Sequence, residues 1–149
     1  MPIRCEIVSQ DRKIFEGDVD AVIVPGVNGE MGILPNHSPL LSMLTIGVIK
    51  VRHGGQEEIF TATGGLVEVQ PTIVTILTDA AERIDEIDLA RAEAAKHRAQ
   101  ELLSQGPPPN TDAYLALEAA LRRSNLRLDV VRKYRGRVAR PSIPAGENE

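Results

Sequence analysis

IVTILTDAAERIDEIDLARAEAA, residues 73–95, is where the chain changes its period. On its left Ile73, Thr75 and Leu77 interleave with Val74 and Ile76, the two-residue alternation of an extended strand. On its right β-branched residues give way to alanine and leucine, and Asp85 or Asp88 stands where a helix needs a capping oxygen. The break near residue 84 predicts a β-domain before it and a helical segment after it.

Upstream the alternation recurs in Ile3, Cys5 and Ile7 and again in Val19, Ala21 and Ile23. Val24-Pro25-Gly26, Val27-Asn28-Gly29, Leu34-Pro35-Asn36, His53-Gly54-Gly55 and Thr63-Gly64-Gly65 punctuate the strands. Short strands at this spacing indicate a sandwich or a barrel. Downstream, a helix is expected to about Ser104, where Gly106-Pro107-Pro108-Pro109 must end it because proline supplies no amide donor. A second helix starts near Thr111. Ala92, Ala95, Ala99 and Leu102 on the first, and Ala113, Leu117, Ala120, Leu121, Ser124, Leu128 and Val131 on the second, recur at spacings of three and four. The pair reads as an antiparallel hairpin. Alanine seams bury little area, so this is a conditionally stable arm suited to switching. The chain divides into a β-domain over residues 1–84, a helical hairpin over 85–137 and a tail over 138–149 expected to be disordered.

Composition narrows the function. Phe15, Phe60, Tyr114 and Tyr134 are the only aromatic residues, so Val, Ile, Leu and Ala must build the core and base stacking has almost no material. A nucleic-acid partner is not expected. Cys5 is the only cysteine, which rules out an intrachain disulfide and a multi-cysteine metal site. No run of about 18 apolar residues offers a membrane span, and the first residues lack a signal-peptide core. Residues 1–84 carry six basic and eleven acidic side chains, residues 85–149 eleven and ten. Arg122, Arg123, Arg127, Arg132, Lys133, Arg135, Arg137 and Arg140 stand against Asp129 alone, a stretch that attracts an acidic partner or a polyphosphate, or else forms a solvated helix face.

Five segments then occur in order: Phe15-Glu16-Gly17; Val22-Ile23-Val24-Pro25-Gly26; Gly29-Glu30-Met31-Gly32-Ile33-Leu34-Pro35-Asn36-His37-Ser38-Pro39-Leu40; Gly64-Gly65-Leu66-Val67-Glu68-Val69; and Val74-Thr75-Ile76-Leu77-Thr78-Asp79-Ala80-Ala81-Glu82. Followed by a helical hairpin, this pattern resembles the epsilon subunits of bacterial F-type ATP synthases over nearly the whole chain. The resemblance implies a sandwich of about ten strands beside the foot of the rotor stalk, touching the gamma subunit and the membrane ring of c subunits. It implies a non-catalytic rotor part at the cytoplasmic face of the bacterial cell membrane. It also implies a hairpin that folds onto the sandwich or extends toward the alpha and beta subunits, where it obstructs ATP hydrolysis.

Two constellations follow. Gly29 and Gly32, with Pro35 and Pro39, suit a loop that presents a fixed edge, with Glu30, Met31 and His37 as candidate partner contacts. For His37 a bond to neighbouring turn backbone is the alternative. Ile87-Asp88-Leu89-Ala90-Arg91-Ala92 matches the motif associated with ATP binding in the family, which makes Glu82, Ile87, Asp88, Arg91, Ala92, Arg98, Arg123 and Arg127 candidate ligands. Arginine forks suit phosphate oxygens. The alternative is that Asp88 caps the helix while Arg91 and Arg98 make surface pairs. Arg122 and Arg132 are candidate contacts to alpha and beta. No cofactor is required, ATP being a regulatory ligand. No Gly-x-x-x-x-Gly-Lys-Ser/Thr loop or evident base accompanies the motif, so binding without hydrolysis is expected. Ser38, Ser42 and His37 find no third partner for nucleophilic catalysis, and no paired-histidine spacing offers a metal site.

Overall fold

In strand β1 (Ile3–Val8) the alternation read from the sequence is realised directly, since Ile3, Cys5 and Ile7 are all fully buried. Burial pushes the Cys5 thiol up to about 12, with the neighbouring Glu6 charge adding to it. The computed structural model describes residues 2–106 and 110–135, the last by its backbone only. Residues 138–149, expected as a tail, and Arg137 and Arg140 lie outside the described residues.

Seven further strands follow: β2 (Lys13–Val19), β3 (Ala21–Gly26), β4 (Gly29–Ile33), β5 (Leu40–His53), β6 (Gln56–Val69), β7 (Ile73–Thr78) and β8 (Ala81–Arg83). Their order is β2-β1-β7-β6-β5-β3-β4, with β8 also pairing β6. Only β1 and β7 run parallel among the described pairs. Phe15 of β2 meets Phe60 of β6 edge-on at 5.9 Å between centroids, and His53 at the end of β5 lies 6.2 Å from the same ring. β2 and β5 are four places apart in the hydrogen-bonded order, so the sheet folds over on itself as a sandwich.

Eight strands stand where about ten were expected, because β5 and β6 are each 14 residues long and bend instead of breaking. Residues 60–62 of β6 pair with β8, while residues 65–69 pair with β7. The bend between them is at Gly64 and Gly65, with φ of 108° and 141°, where a side chain is strained. A Cβ on Gly65 would come within 2.0 Å of the Leu77 carbonyl oxygen. The corner is latched by Thr78 Oγ1, 2.6 Å from the Gly64 carbonyl, and by the Ala80 N–H donating to Thr63 Oγ1 at 3.1 Å.

The sequence pattern Val19, Ala21, Ile23 is not one continuous alternation. The chain corners at Asp20, whose N–H donates to the Arg52 carbonyl at 2.7 Å and whose carboxylate accepts from the Gly54 N–H at 3.1 Å. The phase flips there, and Val22 and Val24 take the core positions.

After a 3-10 turn at Ile84–Glu86, helix α1 (Leu89–Ser104) begins at Asp88, whose Oδ1 accepts from the Arg91 N–H at 3.0 Å. Helix α2 (Thr111–Val130) begins at Asn110, whose Oδ1 accepts from the Ala113 N–H at 2.8 Å, and ends in a π-helical turn, Val131–Arg135. Ala92 and Ala99 of α1 and Ser124 and Leu128 of α2 are buried, whereas Leu102 is 44% exposed near the tip. α2 lies along β6 and ends in a second apolar cluster of Ile59, Ile84, Val130 and Tyr134.

Gly65→Ala is expected to lower the unfolding free energy in urea by about 3 kcal/mol or more, through strain and backbone overlap. Gly32→Ala, where no atom approaches an added Cβ within 4 Å, is expected to change it by less than about 0.5 kcal/mol. Equal urea midpoints for the two variants would contradict the role given to the bend.

Candidate functional site

β8 and the first turn of α1 are brought against α2 by the corner of β6, and a cavity of about 270 Å³ opens between them. Glu82, Glu86, Ile87, Asp88, Arg91, Ala92 and Arg127 line it. Of the eight ligands expected from sequence, Glu82, Ile87, Asp88, Arg91, Ala92 and Arg127 meet here. Arg98 is exposed two turns further along α1 and does not line the cavity. Arg123 lies beside a separate cavity of about 350 Å³ with Arg122, Thr45, Thr63 and Gly64, one helical turn from Arg127.

The cavity holds three carboxylates, yet each has a donor. Glu82 accepts from Arg127 through Nε at 2.6 Å and through a terminal nitrogen. Glu86 accepts from Arg12 at 3.0 Å. Asp88 spends Oδ1 on the helix cap, as the alternative reading of the motif had it. The surface pairs of that alternative do not form: among the described residues neither Arg91 nor Arg98 has an ion-pair partner, and the pair nearby on α1 is His97 with Glu101 at 3.1 Å. Arg91 is therefore the guanidinium in the cavity with its donors unspent. Arg127 can add its own if Glu82 yields them. Guanidinium forks of this kind suit the oxygens of an anion, and Ile87 and Ala92 give the cavity an apolar side.

Two supports escaped the sequence reading. Arg12, in the β1–β2 turn, reaches Glu86 across 74 residues of chain, and no short-range pattern marks such a pair. β8 is held from its other side by Arg83, which donates to Glu58 while Glu58 also meets His53 Nε2 at 2.8 Å. Burial pushes the Glu58 carboxyl upward, but the hydrogen bonds from His53 and Arg83, with the charge of each, outweigh it and hold it below the usual range.

The remaining candidates lie elsewhere. Glu30 is exposed on β4 and Met31 is half-buried against the core. His37 has its Nδ1 2.7 Å from the Ser38 carbonyl, so the imidazole is bonded to turn backbone. Arg122 and Arg132 are exposed on the arm. On the outer face of the sandwich, Val8, Leu77, Leu66 and Met43 stand side by side across four strands and line a groove of about 510 Å³. Met43 is 57% and Leu77 48% exposed, an apolar row that suits a partner's surface. Its members come from four separate strands, so only the pairing register reveals it.

The family model for the ATP synthase Delta/Epsilon chain, beta-sandwich domain, matches residues 2–84, and that for its long alpha-helix domain matches residues 85–132. The ATP synthase epsilon chain of Halalkalibacterium halodurans is 44% identical over 128 residues, 86% of this chain and 96% of its own. That of Dehalococcoides mccartyi strain CBDB1 is 42% identical over 133 residues, covering 89% and 94%. Among solved structures, a chain of the Euglena gracilis mitochondrial ATP synthase superposes with a TM-score of 0.64 at 24% identity, over 92% of this chain and 81% of that one. A chain of the Tetrahymena thermophila enzyme, from its central stalk and c-ring, gives 0.59 at 14%, over 88% and 97%. At these identities the two structures speak to the fold alone.

Because the folded Glu58 carboxyl sits below its ordinary value near 4.5, the unfolded chain binds more protons in the window between the two. Stability from this group is therefore present above about pH 4.5 and is lost as pH falls through the folded value. Urea midpoints measured from about pH 3 to about pH 6 are expected to rise less steeply in Glu58→Gln than in the parent. Identical slopes would show that the triad adds nothing to the joint at β8.

Proposed function

The chain belongs to the ATP synthase epsilon-chain family as a non-catalytic subunit, and on that premise we propose that it is a rotor part whose arm regulates ATP hydrolysis by moving between a docked and an extended position. The observation that carries this reading is the cavity itself. Its walls come partly from the sandwich, through Glu82, and partly from the arm, through Asp88, Arg91 and Arg127. A ligand held between them binds the docked arm better than the extended one, and only such a difference in affinity can shift the balance.

ATP is the ligand in this proposal. Its phosphates meet Arg91 and Arg127, Glu82 or the free oxygen of Asp88 accepts from adenine or ribose, and nothing in the cavity activates water. Arg98 and Arg123 stay out of reach while the arm is docked. The apolar row of Met43, Leu66 and Leu77 is the surface offered to the gamma subunit. The loop that carries Glu30 and His37 is offered to the ring of c subunits. In the extended state Arg122, Arg123, Arg127 and Arg132 meet acidic residues of alpha and beta. Among the described residues no helix is long and apolar enough to cross a membrane. The proposal places the chain at the cytoplasmic face of the bacterial membrane, held there by its partners.

Calorimetric titration of the full chain with ATP, with and without magnesium, tests the ligand. Saturable heat is expected, weakened about tenfold or more by Arg91→Ala and by Arg127→Ala, in keeping with the roughly 1.5–3 kcal/mol of a hydrogen bond to a charged group. No heat up to millimolar ATP would remove the nucleotide from the reading and leave the subunit assignment standing. In the assembled synthase, replacing Arg122, Arg123, Arg127 and Arg132 together by alanine is expected to raise ATP hydrolysis. An unchanged rate would contradict electrostatic obstruction by the arm.

A further inference from the structure

Tyr134, in the π-helical turn that follows α2, is only 6% exposed. It belongs to the second apolar cluster, where Val130 and Tyr134 of the arm meet Ile59 of β6 and Ile84 of the turn after β8, with Val48 and Leu126 at the margin. Lys50 of β5, paired in register with Ile59, holds Nζ 5.1 Å from the centre of the Tyr134 ring, and Lys133 holds its own Nζ 5.2 Å away. Both lie within the reach of a cation–π contact. Burial pushes the phenol upward, but hydrogen bonds to Lys50 and Lys133 outweigh it and hold it below its ordinary value, which agrees with a ring and hydroxyl attended by two ammonium groups.

The backbone explains how the ring reaches this place. Leu126, Val130 and Tyr134 are four residues apart, and in an α-helix each such step drifts about 40° around the axis. The π-helical turn at Val131–Arg135 is wider and takes that drift back, so Tyr134 falls under Val130 on the face that meets β6. The described ion pair between α2 and the sandwich, Arg127 with Glu82, leaves both side chains about a third exposed, and pairs of that kind contribute little.

We propose that Tyr134 is the catch of the arm: its ring, seated on Ile59 and Ile84 and attended by Lys50 and Lys133, holds α2 against β6, and withdrawing it frees the arm as a unit. This catch lies outside the cavity at Asp88 and works whether or not that cavity takes a nucleotide. It makes the arm's position sensitive to whatever competes for the ring or for the two lysines.

Amide hydrogen exchange on the full chain, without nucleotide, tests the catch. In Tyr134→Ala the amides of residues 124–131 are expected to lose protection at least tenfold while those of β1 and β7 keep theirs, which shows the sandwich still folded. Tyr134→Phe retains the ring and is expected to stay within threefold of the parent. Lys50→Gln removes one ammonium and is expected to fall between the two. Protection in α2 unchanged by Tyr134→Ala would overturn the proposal. So would Tyr134→Phe losing as much as Tyr134→Ala, or protection falling equally in β1 and β7.

Discussion

A single strand has to serve both layers of the sandwich, and the bend of β6 at Gly64 and Gly65 is what lets it do so. Before the bend β6 takes β8 as its neighbour, after it β7, while β5 follows along its whole length. Only glycine accepts φ of 141° with the Leu77 carbonyl so near. The consequence reaches beyond the sheet. β8 is set by this corner, Glu82 is set by β8, and Ile59 with Ile84 forms the floor on which the end of α2 rests. The cavity and the docking place of the arm are thus two results of one backbone constraint.

The two parts of the molecule differ in kind. The sandwich is closed by a continuous apolar core running from Ile3 to Ile76, with Phe15 and Phe60 bridging the layers. The arm's own seam is alanine and serine near its middle, and it opens toward a tip where Leu102, Tyr114 and Leu115 are all exposed. Burial along α2 is deepest toward its C-terminal end, at Ser124, Leu128 and Val130. A rigid platform and an arm most deeply buried at one end are what the proposed two-position reading requires, with positions that differ by only a few kcal/mol. Polar ties of the Glu82–Arg127 kind suit such a balance, since the same arginine can trade one oxygen partner for another.

Local periodicity carried most of the fold. The strand alternation, a helix start at Asp85 or Asp88 and another near Thr111, and the hairpin were all legible because each is decided within a few residues, although only the structure gives the cap to Asp88 and puts Asp85 in the preceding 3-10 turn. The strand total of about ten came from the family resemblance and not from local pattern, and a glycine pair such as Gly64-Gly65 does not by itself say whether the chain stops or bends. The phase change at Asp20 was hidden for a related reason: its partners, Arg52 and Gly54, lie more than thirty residues away. At the site, the helical motif placed Asp88, Arg91 and Ala92 together, since they share one turn. It did not separate Arg123 from Arg127, which are four residues apart on one helix and yet face different cavities. Arg12 beside Glu86, and Lys50 beside Tyr134, depend on tertiary contact alone.

The most direct test follows the arm inside the assembled synthase. Asp11→Cys on the sandwich and Leu115→Cys at the tip of the arm accept a donor and an acceptor dye, while the buried Cys5, its thiol pushed up to about 12, stays unlabelled. Single-molecule energy transfer between them is measured as ATP is raised. The account predicts two populations, the docked one growing with ATP and the hydrolysing fraction rising with it. One unchanging distance across the whole range, or a docked population indifferent to ATP, would contradict it.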